Sequence, residues 1–221
     1  IGTHPLTQTT CPGATHPVTL SVVATGSGAL SYQWKLDGNP ITGATSSSYS
    51  IASPSAADQG SYTCVVTAAN CASDPVTSNA GVLTVRAPTL IGTHPVTQTT
   101  CPGATHPVTL SVVATGSGAL SYQWKLDGNP ITGATSSSYS IASPSAADQG
   151  SYTCVVTAAN CASDPVTSNA GVLTVRAPTL IGTHPLTQTT CPGATHPVTL
   201  SVVATGSGAL SYQWKLDGNP I

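Results

Sequence analysis

Apolar and polar residues alternate along this chain in short runs. From Pro17 to Ala24 the residues Val18, Leu20 and Val22 fall on one face, and the run ends near Gly26. From Ser31 to Leu36, Tyr32, Trp34 and Leu36 share a face. A period of two is the signature of a half-buried β-strand. Further strands are predicted from Ser48 to Ile51, from Ser61 to Thr67, from Val76 to Arg86 and, at the N-terminus, from Leu6 to Cys11. Asp37-Gly38 pairs two residues that tolerate positive φ, so a tight hairpin is predicted between Leu36 and Asn39. No 3.6-residue apolar period survives the frequent Gly, Pro, Ser and Thr. Six or seven short strands separated by turns predict an all-β sandwich.

The pattern then recurs. Ile1-Gly2-Thr3-His4-Pro5 returns at Ile91 and Ile181, residues 91–180 repeat 1–90 with the single change of Leu6 to Val96, and 181–221 repeat 1–41 unchanged. Each 90-residue unit is long enough to bury its own core. The expected domains are 1–88, 89–178 and a partial third at 179–221, in a head-to-tail array. The joint at 86–95 is short and bracketed by proline, which suits a semi-rigid link. The third unit lacks counterparts of Tyr49, Tyr62, Cys64 and Leu83. Half a sandwich is not expected to fold alone, so either its own chain continues or a neighbour supplies the missing strands.

Asp58-Gln59-Gly60-Ser61-Tyr62-Thr63-Cys64, Trp34 on the second strong strand and Thr84-Val85 on the last carry a specific resemblance. They resemble the immunoglobulin superfamily over the whole unit. The chain is most similar to immunoglobulin-like tandem repeats of giant bacterial surface adhesin or filament proteins, Bacteroidota-like, which share a turn of the form Ile41-Thr42-Gly43-Ala44-Thr45-Ser46-Ser47. The resemblance implies about seven strands per domain and a core built on Trp34, Tyr62 and Cys64, with Trp124, Tyr152 and Cys154 in the second unit. It also implies a cysteine near position 22, where this chain has Val22, so the usual intersheet disulfide is ruled out. Cys64 is then expected as a buried thiol acting as a small hydrophobe.

The family's chain path would put Cys11 and Cys71 at opposite ends of one sandwich, roughly 20 Å apart at ~3.3 Å per residue, against the ~7 Å between Cα atoms that a disulfide tolerates. In a head-to-tail array Cys11 could instead approach Cys161, a candidate interdomain disulfide. An intradomain pair, a bridge to a neighbouring chain and free thiols remain open beside it.

Composition narrows the function. Charged residues are 5% of the chain, against about 25% in ordinary domains. The formal charge of −2 offers no footprint for nucleic acid. No apolar run approaches the ~20 residues of a membrane span. Three cysteines per unit in a Thr/Ser-rich β chain suggest an oxidising, extracellular or cell-surface setting. Starting at Ile1 without initiator methionine or leader, the sequence reads as a mature fragment or a segment.

Candidate chemistry is sparse. His4 and His16 each sit in a Thr-His-Pro turn without a nearby Asp, and the three Asp of the unit lie in separate turns, so no catalytic residues are assigned. His16 and His94 could meet at a joint, yet without a third ligand no metal or other cofactor is expected. Lys35, next to Trp34, should point outward, which argues against an isopeptide bond. The expected role is a structural segment of an extracellular filament, fibre or adhesin stalk whose partners are copies of itself or adjacent repeats. A multivalent module for surface glycan or matrix protein is the alternative, through 26–29 and 70–74, and a spacer in a larger secreted enzyme is another.

Overall fold

The computed structural model describes residues 1–13, 15–103, 105–193 and 195–221. The first repeat forms β1 (Gln8–Thr10), β2 (Val18–Ser21), β3 (Leu30–Leu36), β4 (Asn39–Pro40), β5 (Ser48–Ile51), β6 (Gly60–Ala68), β7 (Val76–Thr77) and β8 (Gly81–Val85). One sheet runs β1-β8-β6-β3-β4 with β7 also on β6; a second consists of β2 and β5. β1 is parallel to β8 (Gln8↔Leu83), whereas β3 is antiparallel to β6 and sets Trp34 opposite Cys64.

The alternation seen in the sequence is what lets two sheets share a core. Val18, Leu20, Val22 and Ile51 are buried together with Trp34, Tyr62, Cys64, Val66, Leu83 and Val85 in one cluster. Burying a side chain of this size contributes roughly 1.5–3 kcal/mol relative to exposure. Cys64 is a free thiol in this core. Burial pushes its pKa up, opposed by a backbone hydrogen bond involving Gln33, so the reactive thiolate is disfavoured.

Polar groups at the turns fix how the strands meet. Trp34 donates its indole N–H to Ser46 O at 2.9 Å. Asp37 and Gly38 adopt φ of 50° and 83°, the left-handed pair that a two-residue hairpin needs. The Asp37 carboxylate accepts the Ser61 N–H at 2.8 Å, tying that hairpin to β6. Gly60, at φ 149°, sits so tightly that a Cβ there would come 2.5 Å from Leu36 and 2.6 Å from the Asp37 carboxylate. Asp58 accepts hydrogen bonds from the Ser55 N–H and hydroxyl, and Tyr62 donates its hydroxyl to Asp58 O at 2.7 Å. The Asp-x-Gly-x-Tyr run is thus one fastening around the turn before β6.

Burial of the Tyr62 ring, reinforced by the nearby Asp58 charge, raises its pKa from 10.0 to about 12. The folded state holds the neutral phenol more tightly than the unfolded chain. Its contribution to stability is therefore complete below pH 10 and is lost as pH rises from 10 through about 12. Absorbance titration should show a late ionisation step from Tyr62 and Tyr152, near pH 12. Tyr62→Phe together with Tyr152→Phe should remove that late step and cost about 1 kcal/mol per lost hydrogen bond.

The predicted strand from Val76 to Arg86 is broken. Ser78 is buried between β7 and β8, where its hydroxyl oxygen accepts the Cys64 N–H at 2.9 Å and its O–H donates to Asn79 O at 2.8 Å. A side chain replaces the backbone partner here, so the ladder stops and restarts at Gly81.

The second repeat forms β9 (Leu90–Thr93), β10 (Gln98–Thr100), β11 (Val108–Ser111), β12 (Val113–Thr115), β13 (Leu120–Leu126), β14 (Asn129–Pro130), β15 (Ser138–Ile141), β16 (Gly150–Ala158), β17 (Val166–Thr167) and β18 (Gly171–Val175). Its main sheet runs β10-β18-β16-β13-β14 with β17 on β16, beside a sheet of β11 and β15. Trp124, Tyr152, Cys154 and Leu173 are buried like their counterparts.

The partial third repeat contributes β19 (Leu180–Thr183), β20 (Val203–Thr205), β21 (Lys215–Leu216) and β22 (Asn219–Pro220). Residues 198–201 repeat the sequence of β2 but are not in a strand, whereas β2 is paired with β5. Val198 and Leu200 are each 50% exposed, against 3% and 0% for Val18 and Leu20.

By proximity the chain groups into two compact units. One comprises Ile1–Gly92, Ala114–Ser121 and Val156–Val166; the other comprises Thr93–Val113, Tyr122–Val155 and Thr167–Ile221.

Candidate functional site

The chemically distinctive place in the first unit lies where β1 ends. Parallel pairing of β1 with β8 continues past Thr10, whose carbonyl accepts the Arg86 N–H at 2.9 Å. Cys11 follows and is buried at 7% exposure. The chain then turns, with Gly13 donating its N–H to Pro54 O at 2.9 Å and His16 donating its N–H to Gly13 O at 3.2 Å. That turn returns His16 beside Cys11, and Thr9, Thr10, Cys11, His16 and Arg86 line a shallow pocket.

The turn Ala159–Cys161 and the residues after it, through Ser163, line the other side of that pocket. Asn160 donates its N–H to Ser117 O at 3.0 Å, Ala159 donates to Ala119 O at 2.9 Å, and Asp164 donates to Cys161 O at 3.1 Å, so the turn is held from both sides. Cys11 and Cys161 are joined by a disulfide with Cα atoms 5.8 Å apart. Around it, His16 Nε2 is hydrogen-bonded to Ser163 Oγ at 2.9 Å. The Thr15 hydroxyl lies 2.9 Å from His16 Nδ1 and donates to Asp164 Oδ1 at 3.4 Å. Asp164 Oδ2 accepts no hydrogen bond among the described residues; its neighbour is His16 Nδ1 at 3.3 Å, an attraction that acts when the ring is protonated.

Cys11, His16 and Asp164 bring ligating atoms within 4.8 Å of one another. With the disulfide closed, Cys11 is no thiolate, and the set reduces to an imidazole and a carboxylate, short of the ligands a structural zinc site uses.

The remaining sequence candidates divide between core and turns. Trp34, Tyr62 and Cys64, with Trp124, Tyr152 and Cys154, are fully buried. His94 is engaged in its own repeat, its Nδ1 accepting the Asn169 N–H at 3.1 Å, just as His4 accepts the Asn79 N–H at 3.0 Å. The two loops considered for ligand binding brace each other: Asn70 donates its N–H to Ser27 O and its side-chain amide to Ser27 Oγ, both at 3.2 Å. Ser163 and Asp164 escaped the sequence reading. Nothing local marks them, since they reach His16 only through a contact 147 or more residues away in sequence.

No protein-family model matches the chain, and no curated protein sequence matches it. Solved tandem immunoglobulin structures do. A three-immunoglobulin structure of titin, a Glu-to-Ala mutated variant, is 17% identical over 100% of this chain and 80% of that one, with a TM-score of 0.65. An I-band fragment from titin is 16% identical over the same shares, with a TM-score of 0.64. The first two immunoglobulin domains of DIP-gamma are 16% identical over 78% of this chain and 95% of that one, with a TM-score of 0.52. At such identity the likeness is one of fold: the chain is an all-β protein of tandem immunoglobulin-like sandwiches.

Proposed function

We propose that this chain is a structural segment of an extracellular surface filament, fibre or adhesin stalk, of the bacterial type its repeat resembles. In this reading, units at 1–88, 89–178 and 179–221 supply length, and copies of the repeat are its partners. The observation that carries the reading is the Cys11–Cys161 disulfide, which ties the first repeat to the second by a covalent bond. A chain pulled from its two ends bears load across that bond, and the 150-residue span it encloses is shielded from extension. Such a bond persists in an oxidising compartment, which supports a location outside the cell. The near absence of charge lets copies lie side by side without mutual repulsion.

A role without catalysis is supported by how the polar groups are used. His4 and His94 accept backbone N–H groups, Asp37 and Asp58 fasten turns, and Cys64 is buried. Mutual bracing of 26–29 and 70–74 favours the structural role over the ligand-binding one.

Two measurements test this. Antibody to the repeat should label intact source cells along extended appendages; labelling only after permeabilisation sinks the reading. In single-molecule pulling, reduction should add about 500 Å of contour length, taking ~3.4 Å for each of the 150 enclosed residues. An unchanged length on reduction would show that the bond bears no load.

A further inference from the structure

Two turns meet at the Cys11–Cys161 disulfide, and each brings a second ligating side chain along with its cysteine. One carries Cys11 and, after four intervening residues, His16; the other carries Cys161 and, after two, Asp164. Structural zinc ions typically take their ligands in such pairs, with about two to five residues between the members. All four residues belong to one compact unit. Both turns also have backbone bonds of their own. In the first, His16 donates its N–H to Gly13 O and Gly13 donates to Pro54 O; in the second, Asp164 donates to Cys161 O and Ala159 to Ala119 O.

The ligating atoms converge. Nδ1 of His16 and Oδ2 of Asp164 are 3.3 Å apart. Two atoms that each lie ~2.0–2.1 Å from a tetrahedral zinc ion are separated by about 3.3 Å, the edge of the tetrahedron. The other atom of each group is already engaged: Nε2 of His16 with Ser163 Oγ at 2.9 Å, and Oδ1 of Asp164 with the Thr15 hydroxyl at 3.4 Å. Oδ2 is buried and accepts no hydrogen bond among the described residues. Cys11 is the third member, its ligating atom within 4.8 Å of those of His16 and Asp164. Cys161 is the fourth. Its Cα lies 5.8 Å from that of Cys11, close enough for both sulfurs to reach one ion at ~2.3 Å once the bond between them is broken.

We infer that the reduced chain binds zinc through Cys11, His16, Cys161 and Asp164, so that disulfide and metal ion alternate at one place. With a trialkylphosphine as reductant, phosphorus attacks one sulfur and the other leaves as a thiolate that takes up a proton. Water then cleaves the thiophosphonium to phosphine oxide and the second thiol, phosphorus having supplied both electrons. Zinc binds the two sulfurs as thiolates, so two protons pass to solvent. Ser163, by accepting the Nε2 proton, fixes the tautomer that turns the Nδ1 lone pair to the metal. The exposed Thr15 hydroxyl, 2.9 Å from Nδ1, gives up that atom and keeps Oδ1. Two thiolates and a carboxylate exceed the charge of the ion by one, which Arg86, lining the same pocket, offsets. In the reduced chain the ion ties together the same two turns that the disulfide ties in the oxidised one.

The test uses the full chain carrying Cys71→Ser, Cys101→Ser and Cys191→Ser, so that exposed thiols do not compete; Cys64 and Cys154 stay, being buried. Cobalt(II) is the probe, because tetrahedral thiolate ligation gives it intense visible and near-ultraviolet bands. After phosphine reduction and removal of the reductant without air, one cobalt ion per chain should bind with those bands, and added zinc should bleach them. The disulfide form should show none. Cys11→Ser should weaken zinc binding by the reduced chain by more than about 100-fold. Ser163→Ala, which removes no ligand, should weaken it by about 10–100-fold and leave the thiolate bands in place. Circular dichroism equal to that of the parent chain establishes that each variant is folded. Reduced chain without the cobalt bands, equal binding by the disulfide form, unchanged affinity in Cys11→Ser, or an ion shared between two chains would each overturn the assignment.

Discussion

Replacing Cys11 and Cys161 together by serine should lower the stability of the chain by about 2–5 kcal/mol, the largest effect expected from any exchange that leaves both cores intact. The bond spans 150 residues, and in the chain-entropy view a loop of that length restricts the unfolded ensemble by up to about 5 kcal/mol. The serines keep the size of the pocket contents, and His16 retains Ser163. Urea unfolding followed by circular dichroism is the direct measurement. A phosphine reductant should shift the wild-type midpoint down to that of the double variant and leave the variant unmoved. Coincident midpoints before and after reduction would mean that the bond adds nothing to stability.

Trp34→Ala should cost about 3–5 kcal/mol and unfold the first repeat under conditions where the second survives. The ring is fully buried, lies 6.5 Å from the Tyr49 ring between centroids, and satisfies the Ser46 carbonyl. Its loss leaves both a cavity and an unpaired acceptor. Against a typical domain stability of about 5–15 kcal/mol, that removes much of the reserve. Unfolding should split into two transitions, the later one reported by Trp124 fluorescence. Trp214→Ala provides the contrast: with 37% of that residue exposed, the change should be small. A single unsplit transition for Trp34→Ala would show that the repeats unfold as one.

These two effects divide what a linear reading finds from what it cannot. Val18, Leu20 and Val22 announce a buried face because the strand period is short enough to be seen within eight residues, and they are buried. Trp34 and the Asp-x-Gly-x-Tyr-x-Cys run are legible for the same reason: each fastening is made within a few residues of its neighbour. Position 6, where the repeats differ, is 74% exposed as Leu6 and 65% exposed as Val96, which is why the exchange leaves no mark on the fold. The break at Ser78 was illegible, since it depends on a hydroxyl meeting the Cys64 backbone across the sheet. The partners of His16 were illegible too. A histidine in a Thr-His-Pro turn gives no hint that a serine and an aspartate from the next repeat will meet it.

The pairing of β2 with β5, 27 or more residues later in the chain, bears on how the protein is made. β2 is held by its antiparallel ladder to β5, Val18 opposite Ile51 and Leu20 opposite Tyr49, so it acquires its pairing only once β5 exists. On a ribosome moving at ~5–20 residues per second, the 44 residues that follow Ile41, through Val85, take about 2–9 s to appear. For that interval Val18, Leu20 and Trp34 of each newborn repeat lack Ile51, Tyr62 and Leu83, which share their core in the folded unit. Every sibling presents the same edge, and nothing in the sequence tells one β5 from another. Faithful pairing then depends on order of emergence: each repeat must close before the next opens, and translation speed becomes part of what specifies the fold.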